Sequence, residues 1–152
     1  MNLLISRCLL GEPCRYDGRG VPKIEVEKLQ KAGFHLILVC PEELGGLSTP
    51  RPPAEVQEDG RVMNQMGQDV TQEYQQGAEF TLAQAQKWGC KLAILKARSP
   101  SCGSKAIYDG SFKGRLVPGE GVTAKLLKQN GVVVMDEEDW EEKIEQWLEK
   151  QG

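Results

Sequence analysis

Asn2-Leu3-Leu4-Ile5-Ser6-Arg7-Cys8 opens the chain with a short apolar run that stops just before a cysteine, and the pattern returns twice. Leu36-Ile37-Leu38-Val39 leads directly into Cys40, and Leu92-Ala93-Ile94-Leu95 is followed, a short loop later, by Cys102. Such runs read as buried strands. If they are neighbouring parallel strands, their C-terminal ends share one edge, where open α/β sheets bind their ligands. Three thiolates then converge on one point.

Outward from these runs, the rest of the chain alternates between strand and helix patterns. Residues 2–6 form a first strand, and 24–32, with apolar Ile24, Val26, Leu29 and Ala32, a short helix ended by Gly33. A second strand covers 34–39. Residues 41–68, with Gly45-Gly46 and Pro50-Arg51-Pro52-Pro53, read as a long loop with little regular structure, of the kind that is usually functional. Asp69 with Gln72 has capping-box character and starts the main crossover helix over 70–88. A third strand follows at 92–95, a loop at 97–121, a helix at 122–129 whose end is marked by Asn130-Gly131, and a fourth strand at 132–135. In the closing helix, 138–149, Trp140, Ile144, Trp147 and Leu148 recur at helical spacing and should pack one face on the sheet, the tryptophans as core rather than as cofactor stackers. The fold expected is a small three-layer α/β fold, Rossmann-like, with a mainly parallel sheet, helices on both faces and the site at the C-terminal strand edge. No internal repeat or low-complexity tract interrupts it.

The chain of 152 residues, 39% hydrophobic, fits one domain over 1–152. A net charge of -3 from 19 basic and 22 acidic residues leaves no electrostatic footprint for duplex nucleic acid or an anionic membrane, so the expected partner is a small molecule. No apolar run approaches the ~20 residues that span a bilayer, and residues 1–10 lack the features of a secretory signal. The expected location is cytoplasmic and reducing. There, an odd count of five cysteines argues against a disulfide scaffold and for metal or catalytic use of some of them.

The cysteines differ in placement. Cys90 precedes the third strand, so the fold sends it to the opposite edge as a small buried hydrophobe. Cys14, six residues after Cys8, is near enough to be a fourth ligand, a spare thiol or a resolving partner. His35, inside the apolar second strand, reads as a structural histidine, so a metal here leans on thiolates, which suit zinc or an iron-sulfur cluster. Three ligands, unlike four, leave one coordination position open to substrate. Glu42, two residues past Cys40, reads either as a general base or as an ordinary loop acid. Ser101, beside Cys102, either handles substrate and protons or serves the turn Ser99-Pro100-Ser101-Cys102-Gly103. Gly119-Glu120-Gly121-Val122-Thr123 could offer backbone N–H groups to an anion, but a plain helix start is the stronger account.

Taken together, Ser6-Arg7-Cys8-Leu9-Leu10-Gly11, Cys14-Arg15-Tyr16-Asp17-Gly18, Cys40-Pro41-Glu42, Gly45-Gly46-Leu47 with Thr49-Pro50-Arg51, Ser99-Pro100-Ser101-Cys102-Gly103, Ile107-Tyr108-Asp109-Gly110-Ser111-Phe112 and Gly121-Val122-Thr123 resemble a bacterial family catalogued as a domain of unknown function, which includes thiouracil desulfidase. The likeness spans nearly the whole chain; Arg7, where small residues are usual, is a minor departure. The resemblance implies an oxygen-sensitive [4Fe-4S] cluster with one open iron, used for non-redox removal of sulfur from a thiolated nucleobase such as thiouracil. It further implies Cys8, Cys40 and Cys102 as ligands of the cluster iron, Glu42 as the acid/base and Ser101 as a substrate-handling hydroxyl. The competing expectations are a sulfur transferase and a zinc-binding or thiol-redox module.

Overall fold

In the computed structural model, which describes residues 1–18 and 24–151, Asn2–Ser6 (β1) lies between two parallel neighbours, His35–Val39 (β2) and Leu92–Ile94 (β5). Val133–Met135 (β8) pairs in parallel on the far side of β5, giving the order β2-β1-β5-β8. Successive residues of a strand point to opposite faces. Leu3, Ile5, Leu92 and Ile94 therefore meet Leu29 of Val26–Lys31 (α1) and Trp140 and Ile144 of Trp140–Gln151 (α5) on one face. Leu4, Ala93 and Leu95 meet Ala85 of Thr71–Lys87 (α3) and Ala124 and Leu127 of Val122–Gln129 (α4) on the other. The two central strands are covered on both sides, which is why their sequences are continuously apolar rather than alternating. The three-layer α/β expectation holds.

Chain direction fixes where the site must be. From β1 the chain runs to β2 on one flank, and from β5 to β8 on the other, so the connections diverge at the carboxyl ends of β1 and β5. That divergence opens a crevice. Cys8 follows β1, Cys40 follows β2 and Cys102 follows β5. Cys90, at the other end of β5, is buried among the apolar residues under α3 and α4, as its position required.

Several expectations need correction. The 41–68 segment holds a one-turn helix, Pro41–Leu44 (α2), and an antiparallel hairpin of Ala54–Val56 (β3) with Val62–Asn64 (β4). The 97–121 segment likewise contains Ala106–Tyr108 (β6) paired with Leu116–Pro118 (β7). Strands of three residues are too short to carry a period-two signal among the surrounding Pro and Gly. His35 is exposed rather than buried, because β2 is an edge strand covered by few neighbours; Leu38, three residues further along it, is 39% exposed. Leu148 is 41% exposed, although Trp140 and Ile144 of the same helix pack into the core. The capping box of Asp69 and Gln72 is not made: the Asp69 carboxylate accepts the Thr71 N–H at 2.9 Å instead. Among the described residues, no helix is long and apolar enough to cross a membrane.

α2 rests on α3 backbone to backbone. A Cβ on Gly77 of α3 would overlap the Pro41 carbonyl, and one on Gly45, just past α2, would overlap the carbonyl of Glu73. Alanine gains about 1 kcal/mol over glycine in an open helix, yet at this contact it must push α2 away. Gly77→Ala is therefore expected to lower the unfolding free energy by about 2 kcal/mol, in the range for overpacked interiors. Urea denaturation checks this, and an unchanged or raised midpoint would show that α2 does not press on α3 there.

Candidate functional site

Each of the thiols at the sheet edge is fixed by local backbone. Cys8 lies in a 3-10 turn over Arg7–Leu10, closed by Gly11 at φ 91°, whose N–H bonds the Cys8 carbonyl at 3.1 Å. The chain then doubles back, the Cys14 N–H meeting the Glu12 carbonyl at 2.8 Å. Cys40 caps the start of α2. Cys102 is held by Ser99, whose hydroxyl oxygen accepts the N–H groups of Ser101 and Cys102 at 3.1 and 3.0 Å. Cys8, Cys14, Cys40 and Cys102 all line one cavity of about 410 Å³ at the carboxyl ends of the strands.

Three of the four thiols interact through Cys14. Cys14 hydrogen-bonds the side chains of both Cys40 and Cys8, and the Cys40 thiol also reaches the Cys14 carbonyl at 3.7 Å. The Ser6 hydroxyl accepts the Lys96 N–H at 3.1 Å and donates to the Cys102 sulfur at 3.8 Å, bridging the ends of β1 and β5. Proximity makes ionisation costly. For Cys14 the bond from Cys40 favours the thiolate, but the Cys8 thiol and burial outweigh it and push the group up to about 11. Cys40 is raised well above the ordinary thiol range by Cys14 and by burial. Burial, with the nearby Glu42 charge, pushes Cys102 up to about 12. Buried thiols that stay protonated on their own ionise when a metal supplies positive charge, and an all-sulfur donor set suits a soft one. The residues present thus fit a thiolate-held metal group. Among the described residues, however, no three His, Cys, Asp or Glu side chains are arranged to hold a single metal ion. The thiols share a cavity rather than a point.

Glu42, in the single turn of α2, also lines the cavity. Its Oε1 accepts the Arg51 Nε–H at 3.0 Å and the Tyr74 hydroxyl at 2.6 Å. The pair is secluded, the side chains of Arg51 and Glu42 being 5% and 15% exposed. Burial, then the Glu42 charge, drives the Tyr74 phenol well above its usual range, so it stays a donor. Arg51 also donates to the Cys14 carbonyl at 3.0 Å, to the Ser48 carbonyl at 3.1 Å and to the Thr49 hydroxyl at 2.8 Å. Thr49 passes the link to Glu43 at 2.6 Å, Glu43 to Arg7 at 2.9 Å, and Arg7 to Glu12 at 2.6 Å. Sequence reasoning missed Arg51, Tyr74, Glu43 and the bridging role of Arg7. Only Arg51, a cation framed by prolines in a loop, carried a visible signal.

Ser101 is 1% exposed, one layer behind the cavity. Its hydroxyl pairs with that of Thr123 at 2.8 Å and hydrogen-bonds Cys102. The first N–H groups of α4 are already taken: Val122 bonds the Pro100 carbonyl at 2.9 Å, and Thr123 and Ala124 bond that of Ser101 at 2.9 and 3.1 Å. A Cβ on Gly121 would overlap the Ser101 carbonyl. The glycines before α4 thus serve a helix start that clasps the Cys102 loop, not an anion.

Comparison with known proteins agrees along the chain. The model of a family described as 2-thiouracil desulfurase matches residues 3–139. The uncharacterized protein YbbK of Bacillus subtilis (strain 168) is 44% identical over 149 residues, covering 90% of this chain and 96% of that protein. Among solved structures, a [4Fe-4S]-dependent thiouracil desulfidase, TudS, superposes with a TM-score of 0.87 at 43% identity, covering 93% of each chain.

Arg51→Met would leave the Glu42 carboxylate buried without its cation, and is expected to lower the unfolding free energy by about 3 kcal/mol. Tyr74→Phe, which removes one hydrogen bond to a charge, should cost about 1–2 kcal/mol. Urea unfolding under reducing conditions measures both. A loss below about 1 kcal/mol for Arg51→Met, the range of solvated surface pairs, would show that the pair is not secluded.

Proposed function

This chain belongs to the 2-thiouracil desulfurase family, and from that premise we propose that it hydrolyses a thiolated nucleobase such as 2-thiouracil to the carbonyl base and sulfide, using a [4Fe-4S] cluster. One observation carries the reading to this chain: Cys8, Cys40, Cys102 and Glu42 open onto the same cavity. Cys8, Cys40 and Cys102 would hold the cluster, leaving Cys14 as a neighbouring thiol that interacts with two of them. When bound, the cluster supplies an iron free of protein ligands, a Lewis acid for the thiocarbonyl sulfur.

The protein's part is proton transfer and orientation. Glu42, oriented through Oε1 by Arg51 and Tyr74, takes a proton from water at Oε2 while the water oxygen bonds to the thiocarbonyl carbon. The C–S bond then breaks with its electron pair leaving on sulfur. Sulfur collects the two protons of the water, so that thiocarbonyl and water become carbonyl and hydrogen sulfide. Ser101, which does not line the cavity, acts on this chemistry only through Cys102, beside which it is anchored by Thr123. A mononuclear zinc site, which needs its ligands around one centre, is less well supported by thiols that share a cavity without sharing a point.

After anaerobic reconstitution with iron and sulfide, the protein should hold about four irons per chain. Cys8→Ala, Cys40→Ala and Cys102→Ala should each lose them, and Cys14→Ala should keep them. Bare thiols or tightly held zinc in place of iron would end this reading. Glu42→Gln should retain the iron and its visible absorption while turnover of 2-thiouracil falls about 100-fold or more; retained activity would remove Glu42 from the mechanism. Sulfide released in the absence of any acceptor separates hydrolysis from sulfur transfer.

A further inference from the structure

The two short hairpins meet at the cavity, and one carboxylate ties them together. Glu55 of β3 accepts, through Oε1, the N–H of Gly110 at 2.9 Å and the N–H of Phe112 at 3.1 Å. Gln57, just beyond β3, donates to the Gly110 carbonyl at 3.2 Å. The turn between β6 and β7 is thereby fastened to the other hairpin at three points. Within it Phe112 has φ 60°, in the left-handed region. A residue with a Cβ stays there only when its surroundings hold it. Gly110 and Gly114, on either side, also have positive φ and are the residue type that adopts it freely. A glycine at 112 would make the turn at less conformational cost. Instead the position carries an aromatic ring, half-buried, and that ring lines the cavity that contains the four thiols, together with Tyr16 and Tyr108.

We infer that Phe112 binds substrate, its ring lying against the face of a planar heteroaromatic thioamide, and that Glu55 is the positioning residue that holds it there. The inference rests on the desulfidase reading and deepens it to the residue that receives the ring of the substrate. A ring fastened in advance by backbone bonds from a second hairpin loses little freedom on binding, and its apolar face matches that of a flat conjugated ring. Phe112 therefore favours cyclic conjugated thioamides over small acyclic ones, which offer little face to cover.

The test uses the reconstituted protein with 2-thiouracil and with thioacetamide, beside thermal unfolding and calorimetric binding of 2-thiouracil. Phe112→Gly should raise KM for 2-thiouracil about tenfold, in the range of base–aromatic stacking, with kcat within about twofold and KM for thioacetamide unchanged. Its thermal midpoint should hold or rise, since glycine relieves the left-handed residue. Phe112→Tyr should restore the wild-type KM, and Glu55→Ala should raise KM with Phe112 intact. Unchanged KM and unchanged calorimetric affinity in Phe112→Gly would overturn the inference. So would a fall in thermal midpoint with kcat and KM changing together, the mark of a purely structural residue. Wild-type protein that binds 2-thiouracil without turning it over would fail the desulfidase reading, while the calorimetric comparison still judges the ring contact.

Discussion

The contact on which the rest of the site depends is the seating of α2 on α3 through two glycines. Gly45 and Gly77 let the carbonyls of Glu73 and Pro41 approach where a side chain would stand. A helix of one turn has no stability of its own in water, so α2 exists because α3 supports it. That support does two things. It directs Cys40, at the start of α2, toward the cavity, and it brings Glu42 to the hydroxyl of Tyr74, thirty-two residues further along the chain and on a rigid helix.

From Glu42 the order spreads by charge. Carboxylates and guanidinium groups alternate from Tyr74 through Glu42, Arg51, Thr49, Glu43 and Arg7 to Glu12. Buried polar groups are costly unless every member of the set finds a partner. Here the partners come from four separate stretches of chain, which the network ties together. Arg51 is its hub: besides Glu42 it binds the carbonyls of Ser48 and Cys14, which places Cys14 against Cys8 and Cys40. The sulfur cluster of the apolar sheet edge and the polar network are thus two sides of one wall.

The sequence carried the framework well, for physical reasons that also explain its gaps. Leu3-Leu4-Ile5 and Leu92-Ala93-Ile94 are legible because strands buried on both faces must be continuously apolar. Once they are parallel neighbours, the gathering of Cys8, Cys40 and Cys102 follows from topology. The environment of His35 was not legible, because whether β2 is central or at the edge depends on pairing partners rather than on its own residues. The hairpins β3–β4 and β6–β7 were lost among prolines and glycines because three-residue strands have no period to detect. The partners of Glu42 lie nine and thirty-two positions away and obey no local spacing. Cys14 was left open by its sequence, and geometry answers only part of that question: it touches two of the other thiols.

The distribution of the thiols along the chain has a consequence for how the protein is made. Cys8 and Cys40 leave the ribosome early, but Cys102 comes late, and its loop is clasped by α4, which receives the carbonyls of Pro100 and Ser101 on its first amides. No nascent fragment shorter than about the end of α4 presents the complete set of cavity thiols with the Cys102 loop clasped. A group held by all of these thiols would therefore be loaded only after most of the chain is made, into a cavity whose sulfurs are by then already buried.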